Sequence, residues 1–282
     1  MYLEVLSKIA SESLLSLYPL FVKYINIPFS LQVWSRFFTY MVIAFLFANS
    51  SFIVENILTK NGILLSIITI AHVFCSYRGF QLLESGQAYI IFYTYPLMIL
   101  LLAGKGINFI MIFAIIGVFL LAKNEKESFT QAVFEKSNVK ERFRYEGIIM
   151  ILIAALTEAF IYFIVRDIKT TNNWNHIFIS YALGALFLSI YYYKDIKNSI
   201  PTNTVKTLTI SMVINIVIGL FGNFFRFFAI SRLDANIYAP LSYFGVLMAY
   251  IYGVIINKDV ITINKIIGSI CILIPNIANY LQ

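Results

Sequence analysis

The sequence predicts an all-α integral membrane protein of ten transmembrane helices, arranged as two inverted five-helix repeats. Three observations predict it. Of 282 residues, 60% are hydrophobic and only 12% charged, with a mean hydropathy of +0.82, whereas soluble domains carry about 25% charged residues. Apolar runs of about 20 residues, the length of helix that crosses a hydrocarbon layer, recur along the whole chain. The second half also repeats landmarks of the first. The runs are continuous and do not alternate over about 10 residues, which excludes an outer-membrane barrel.

The first apolar segment, with its span at 5–24, is interrupted by Glu4 just before the span and by Lys8 and Glu12 within it and has no small-residue cleavage site, so it is expected to remain as a helix and not to be removed as a signal peptide. The next four follow at 29–49, 61–82, 86–104 and 106–122, joined by short connections. A charged stretch, "KNEKESFTQAVFEKSNVKERFRYE" at 123–146, then reads as a solvated linker with room for an amphipathic surface helix. Beyond it come 147–168, 174–193, 205–231, 236–256 and 261–281. The domain expectation is therefore a first repeat at 1–122, the linker at 123–146 and a second repeat at 147–282. The net charge of +7 fits lysines and arginines lying beside lipid headgroups and gives no reason to invoke nucleic acid. Cys75 and Cys271 lie inside apolar runs and read as packing residues.

The repeat is carried by named residues. Glu12 and Glu158 are separated by the same offset as Lys23 and Lys169. Trp34 and Trp174 open the second helix of each half. Tyr89, Tyr93 and Gly104 share one offset with Tyr238, Ser242 and Gly253, and "IIG" occurs at 115–117 and again at 266–268. An odd number of spans per half makes the second copy enter from the opposite side. Such inverted repeats place a transporter's site between the halves, near the midplane.

With these stretches in view, the chain resembles the ten-helix, EamA-type branch of the drug/metabolite transporter superfamily. The resemblance rests on "WSRFFTYMVIAFLF" with Arg36, "AYIIFYTYPLMILLLAG" and "FAISRLDANIYAPLSYFGVLMAYIYG". Two departures are visible: Gly245 stands where the family tends to have a proline matching Pro96, and Asn257-Lys258-Asp259 replaces a Gly-Glu pair before the last helix. The resemblance implies that helices 1–4 and 6–9 line a pathway and that 5 and 10 are peripheral. It also implies cytoplasmic termini, whereas lysine and arginine density, highest in the linker, puts the termini outside by the positive-inside rule.

A charge at the bilayer centre costs at least about 2.5–3.5 kcal/mol on insertion scales, so intramembrane charges need a reason. Glu12 shares a helix face with Ser16, Pro19 and Lys23, and Glu158 shares one with Tyr162, Val165 and Lys169. A first-helix glutamate also resembles the small multidrug resistance relatives, in which it binds a cation or proton. The alternative for each glutamate is to neutralise a neighbouring arginine such as Arg36. His72 and Ser76 share a stripe with Thr69 and Gly79; Asn223 and Arg226 share one with Asn215 and Gly219. Arg226 is suited to fork onto a carboxylate or phosphate. Tyr89, Tyr93 and Pro96 are matched by Tyr238, Ser242 and Gly245, with Pro96 and Gly245 as gating positions because proline frees a backbone carbonyl and lets a helix bend. Tyr95 is expected in the aromatic belt or in packing. No phosphate-binding loop, metal-ligand spacing or nucleophile elbow is present, so no cofactor and no enzymatic activity are expected.

The resulting expectation is a secondary active transporter working by alternating access on a small organic metabolite. Glu12 and Glu158 set against Arg226 offer both signs of charge, which favours a zwitterion such as an amino acid or a metabolite derived from one. A transporter of organic cations is the alternative, and an intramembrane enzyme or scaffold the reading of another class. The expected partners are the small-molecule substrate, a coupled proton and the lipid bilayer, with a homodimer left open. The expected location is the cytoplasmic (inner) membrane of a bacterium.

Overall fold

A computed structural model describes residues 2–19, 25–83, 85–105, 109–122, 137–199, 204–257 and 263–281, and among them there are helices and no strands. In chain order the α-helices are α1 (Tyr2–Leu15), α2 (Phe29–Phe47), α3 (Ser50–Asn56), α4 (Lys60–Leu82), α5 (Ser85–Phe92), α6 (Tyr95–Leu102), α7 (Phe109–Ala122) and α8 (Ser137–Asp167). They continue with α9 (Asn173–Tyr191), α10 (Tyr193–Ser199) and α11 (Thr204–Ile214). A π-helical turn, Asn215–Leu220, then leads directly into α12 (Phe221–Ile230), followed by α13 (Ala235–Ser242), α14 (Phe244–Asn257) and α15 (Ile263–Leu281).

Local chemistry sets several boundaries. The side chains of Asn49, Thr59 and Asn172 accept backbone N–H groups that open α3, α4 and α9, satisfying donors that a helix start leaves orphaned. In the fourth expected span, Pro96 has no N–H to donate to the Phe92 carbonyl, and the chain breaks between α5 and α6. The ninth span also breaks, between α13 and α14 at Tyr243, three residues after Pro240, which lies inside α13. The proline near that break is Pro240; Gly245 lies just beyond it.

Six helices among the described residues are long and apolar enough to cross a membrane: Phe29–Phe47, Lys60–Leu82, Tyr145–Asp167, Asn173–Tyr191, Val205–Ile230 and Ala235–Ile256. The protein is therefore an integral multi-pass membrane protein. Among the described residues the count of ten is not reached by length. α1 ends at Leu15 and the expected end of its span, with Lys23, lies outside the described residues. The fourth span is divided at its proline, and α7 has only 14 residues. The linker also proves shorter at its far end, because α8 already begins at Ser137; residues 123–136 lie outside the described ones.

The helices pack in a regular scheme. α4 lies along α8, α1 along α12, α2 along α9, and α7 along α15, while α6 meets α13. Where helices approach most closely, glycine makes room. A Cβ on Gly117 would sit 2.6 Å from the Gly268 carbonyl, so the two "IIG" glycines lie at one α7–α15 contact. Leucine, isoleucine and phenylalanine dominate the exposed large residues, as on α2 at Phe45, Leu46 and Phe47. That is the pattern expected when the surrounding solvent is hydrocarbon.

Substituting Gly117→Val should force α7 from α15 and cost about 1–3 kcal/mol, the usual range for overpacking a tight contact. Denaturant unfolding of the detergent-solubilised protein would measure the loss, and an unchanged midpoint would show that the two helices do not depend on this approach.

Candidate functional site

The polar interior is built around two carboxylates. Glu12, on α1, is 5% exposed, and Lys8, one turn earlier on the same helix, is 0% exposed; the two form an ion pair. Tyr93 and Tyr95 complete the carboxylate's surroundings, Tyr93 Oη donating to Glu12 Oε2 and Tyr95 Oη to Oε1, each at 3.2 Å. The break between α5 and α6 turns these near-neighbours in sequence toward one group. Lys8 Nζ also lies 3.7 Å from the centre of the Tyr238 ring, a cation–π contact that compensates part of its lost hydration.

Glu158, on α8, is 2% exposed and forms an ion pair with Arg226 of α12. His72 of α4 brings Nε2 to 3.5 Å from Glu158 Oε2. Its other nitrogen, Nδ1, lies 3.1 Å from the Ala154 carbonyl, which sits one turn before Glu158. Oε2 of Glu158 is buried and accepts no hydrogen bond among the described residues. A buried carboxylate oxygen without a donor is costly, and a proton or an ammonium group would satisfy it.

The other expected residues divide into those that meet this centre and those that do not. Tyr89 Oη donates to the backbone carbonyl of Ser16 at 2.8 Å, tying α5 to the end of α1. The Tyr162 ring stands 4.9 Å from that of Tyr238, but its hydroxyl donates to the Leu233 carbonyl at 3.1 Å and accepts from Arg166 at 2.9 Å. Four polar side chains are turned back onto carbonyls of their own segments: Ser16 onto Ser13, Ser76 onto Val73, Asn223 onto Gly219, and Ser242 onto Tyr238. The stripe of small and polar residues is thus largely self-satisfied. Gly245 is a position of close approach, since a Cβ there would run into Tyr93 Oη and lie 2.5 Å from Glu12 Oε2.

Three expectations are corrected. Arg226 was expected to fork onto a ligand and instead pairs with Glu158, so the interior offers no free charge of either sign at this centre. Tyr95 was expected in the belt or in packing, and it is 2% exposed and bonded to Glu12. Arg36 was considered as a partner for the glutamates and lies among tyrosines. Lys8 was missed. The signal was present, because Lys8 and Glu12 stand at i and i+4, the spacing that joins side chains along a helix face.

The fold and this centre define a helical, multi-pass membrane protein with paired charges enclosed between its spans. Residues 145–275 match the EamA-like transporter family. This second half of the chain is thus similar to the EamA-type branch of the drug/metabolite transporter superfamily, the resemblance the sequence carried, and the match points to a membrane transporter of small molecules. Among solved structures, 27 chains match; one crystal structure superposes with a TM-score of 0.68 over 99% of this chain and 98% of its own, at 12% identity. At that identity the likeness is one of fold. Comparison with curated proteins gave no match.

Glu12→Gln should destabilise the protein by about 3–5 kcal/mol, because it leaves the buried Lys8 ammonium without its counter-charge. The double substitution Lys8→Met with Glu12→Gln should recover most of that loss. Thermal unfolding of the single and double variants in one detergent would check the pair, and additive losses would show that Lys8 and Glu12 are uncoupled.

Proposed function

We propose that the protein is a secondary active transporter that moves a small organic metabolite by alternating access between two inverted five-helix repeats. The packing scheme supports the repeat. If the ten expected spans are numbered in order, α1–α12 is the pairing of spans one and eight, and α4–α8 that of three and six. Exchanging the halves turns each of these into the other, while the pairings of two with seven, four with nine and five with ten map onto themselves. The two broken helices fall in corresponding spans, the fourth and the ninth, which suits them to the part of gates. The transporter would sit in the cytoplasmic membrane of a bacterium.

The single observation that carries the mechanism is the buried Glu158 oxygen without a donor, beside His72 and opposite Arg226. A proton taken up there would weaken the hold on Arg226, and loss of that proton would restore it. Coupling through a proton therefore needs no group beyond those present. The same centre bears on substrate class. Lys8 with Glu12 and Arg226 with Glu158 sum to zero charge, so a ligand bearing one net charge would leave a charge unmatched in a desolvated site. A zwitterion, an amino acid or a metabolite derived from one, can exchange its ammonium and carboxylate into the two pairs without that cost. Tyr93, Tyr95 and Tyr238 would supply ring faces and hydroxyls along its length.

Two measurements in sealed proteoliposomes test the reading. Uptake of an amino acid should be inhibited by unlabelled amino acid far better than by its amide or its decarboxylated amine; equal inhibition by all three would replace the zwitterion with an organic cation. Gly245→Ala should lower the uptake rate by about tenfold or more, since it displaces Tyr93 from Glu12 and a hydrogen bond to a charged group is worth about 1.5–3 kcal/mol. An undiminished rate would remove that contact from the transport cycle.

A further inference from the structure

A second buried cation lies outside the carboxylate centre. Arg36 of α2 is 5% exposed, and none of the ion pairs among the described residues includes it. It is enclosed by tyrosines. Its guanidinium carbon lies 4.6 Å from the ring centre of Tyr18, 5.4 Å from Tyr40, 5.6 Å from Tyr77 and 5.9 Å from Tyr181. Nη2 donates to Tyr181 Oη at 3.2 Å, while Nε is buried with no acceptor. Ring faces attract a cation but carry no net charge, so the positive charge of Arg36 is solvated without being balanced.

The walls of this enclosure are held in place by a dedicated network. Tyr18 and Tyr40 hydroxyls meet at 2.8 Å, and Tyr18 Oη donates to Asn215 Oδ1 at 2.7 Å. Asn215 in turn donates to Ser35 Oγ at 3.1 Å. Asn215 opens the π-helical turn, a distortion that costs regular hydrogen bonding and tends to occur at functional positions. Within that turn Gly219 has no Cβ, and one placed there would collide with the Tyr18 and Tyr40 hydroxyls. Directly beside the box is a small cavity whose polar lining is Tyr18, Gln32, Tyr77, Ser211 and Asn215. Gln32 donates to the Ile25 and Ile27 carbonyls, Asn215 to Ser35 and Tyr18 to Asn215, so of these groups it is Arg36 Nε that is left without an acceptor among the described residues.

We infer that Arg36 and its tyrosine box form a binding site for a carboxylate group. A guanidinium presents paired donors that match the two oxygens of a carboxylate. One carboxylate carries the single negative charge that balances one arginine; a phosphate, at about −1.5 to −2 near neutral pH, would leave negative charge over. The site uses residues different from the Lys8–Glu12 and Glu158–Arg226 centre, and it stands whether or not that centre couples a proton.

The test is ligand-dependent thermal unfolding of the full chain in detergent, with sodium chloride holding ionic strength constant. The probes are propionate, propionamide, propylammonium and inorganic phosphate. Propionate should raise the unfolding midpoint saturably, propionamide and propylammonium should not, and phosphate should do so less at equal concentration. Arg36→Gln should abolish the propionate shift. Arg36→Lys, which keeps the charge without the fork, should weaken apparent affinity by about tenfold. Tyr77→Phe, which keeps the ring and removes one cavity hydroxyl, should weaken it less and provides the reading if Arg36→Gln does not fold. Glu12→Gln should retain the shift, so a protein altered at the carboxylate centre that still responds separates this inference from the proposed mechanism. A propionate shift that persists in Arg36→Gln, that is undiminished in both Arg36→Lys and Tyr77→Phe, or that chloride or propionamide reproduces, would overturn the site, as would no shift at all in the unaltered protein.

Discussion

A carboxylate enclosed in a membrane protein must be matched by charge and by donors, and that constraint organises this structure. Glu12 and Glu158 could not be buried as ions without partners, because desolvation of an isolated charge exceeds what packing returns. Each is therefore given a cation, and each cation is given further contacts. Lys8 faces the Tyr238 ring, and the carboxylate it serves draws Tyr93 and Tyr95 inward. That demand places α5 and α6 against α1 and explains why a proline break stands in the middle of an apolar span. Gly245 lacks a side chain at the spot where Tyr93 and Glu12 meet. A chain of consequences thus runs from one acidic residue through two broken helices.

Most of the architecture was legible in the sequence because hydrocarbon imposes a simple rule: backbone groups must bond within the segment, so apolar runs become helices. The long spans at 29–49, 61–82 and 174–193 appear with boundaries close to those expected. The proposed repeat rests on glycine and charged residues that stand out against a background of leucine, isoleucine and phenylalanine. What the pattern does not contain is pairing between distant segments. Nothing in the spacing of Glu158 distinguishes a ligand-facing carboxylate from one that meets Arg226 across two helices. Gly245 was expected as a gating position, and the break of the ninth span falls two residues before it, at Tyr243. Tyr95 was set aside because an unbroken helix would point it away from Tyr93, and the break at Thr94 cancels that argument.

The family match and the charged centre answer different questions. A family describes a scaffold, and scaffolds of this kind carry many substrates. Selectivity must come from what the interior holds fixed. Here that is a pair of self-balanced carboxylates, tyrosines of which Tyr89, Tyr93, Tyr95 and Tyr162 have hydroxyls committed to carboxylates or carbonyls while that of Tyr238 has no hydrogen-bond partner among the described residues, and an arginine that no acidic side chain among the described residues balances. The self-satisfied serines and Asn223 are consistent with this division: their bonds to local carbonyls let the helices approach closely and leave recognition to longer side chains.

The two halves have also come to hold their carboxylates differently, and the difference has mechanical content. Glu12 takes its cation from its own helix, one turn away. Glu158 takes its cation from α12, a helix that packs mainly against α1. When one bundle of helices rocks against another, a pair within a single helix travels intact, whereas a pair that spans two helices must open or hold the bundles together. In the proposed cycle Glu158 and Arg226 would act as a latch, and Lys8 and Glu12 as a fixed fitting. His72 reaches the latch from α4, which lies along α8 and is positioned by the Ala154 carbonyl. A proton at Glu158 would act on a charged contact that joins two helices, whereas the Lys8–Glu12 pair lies within one.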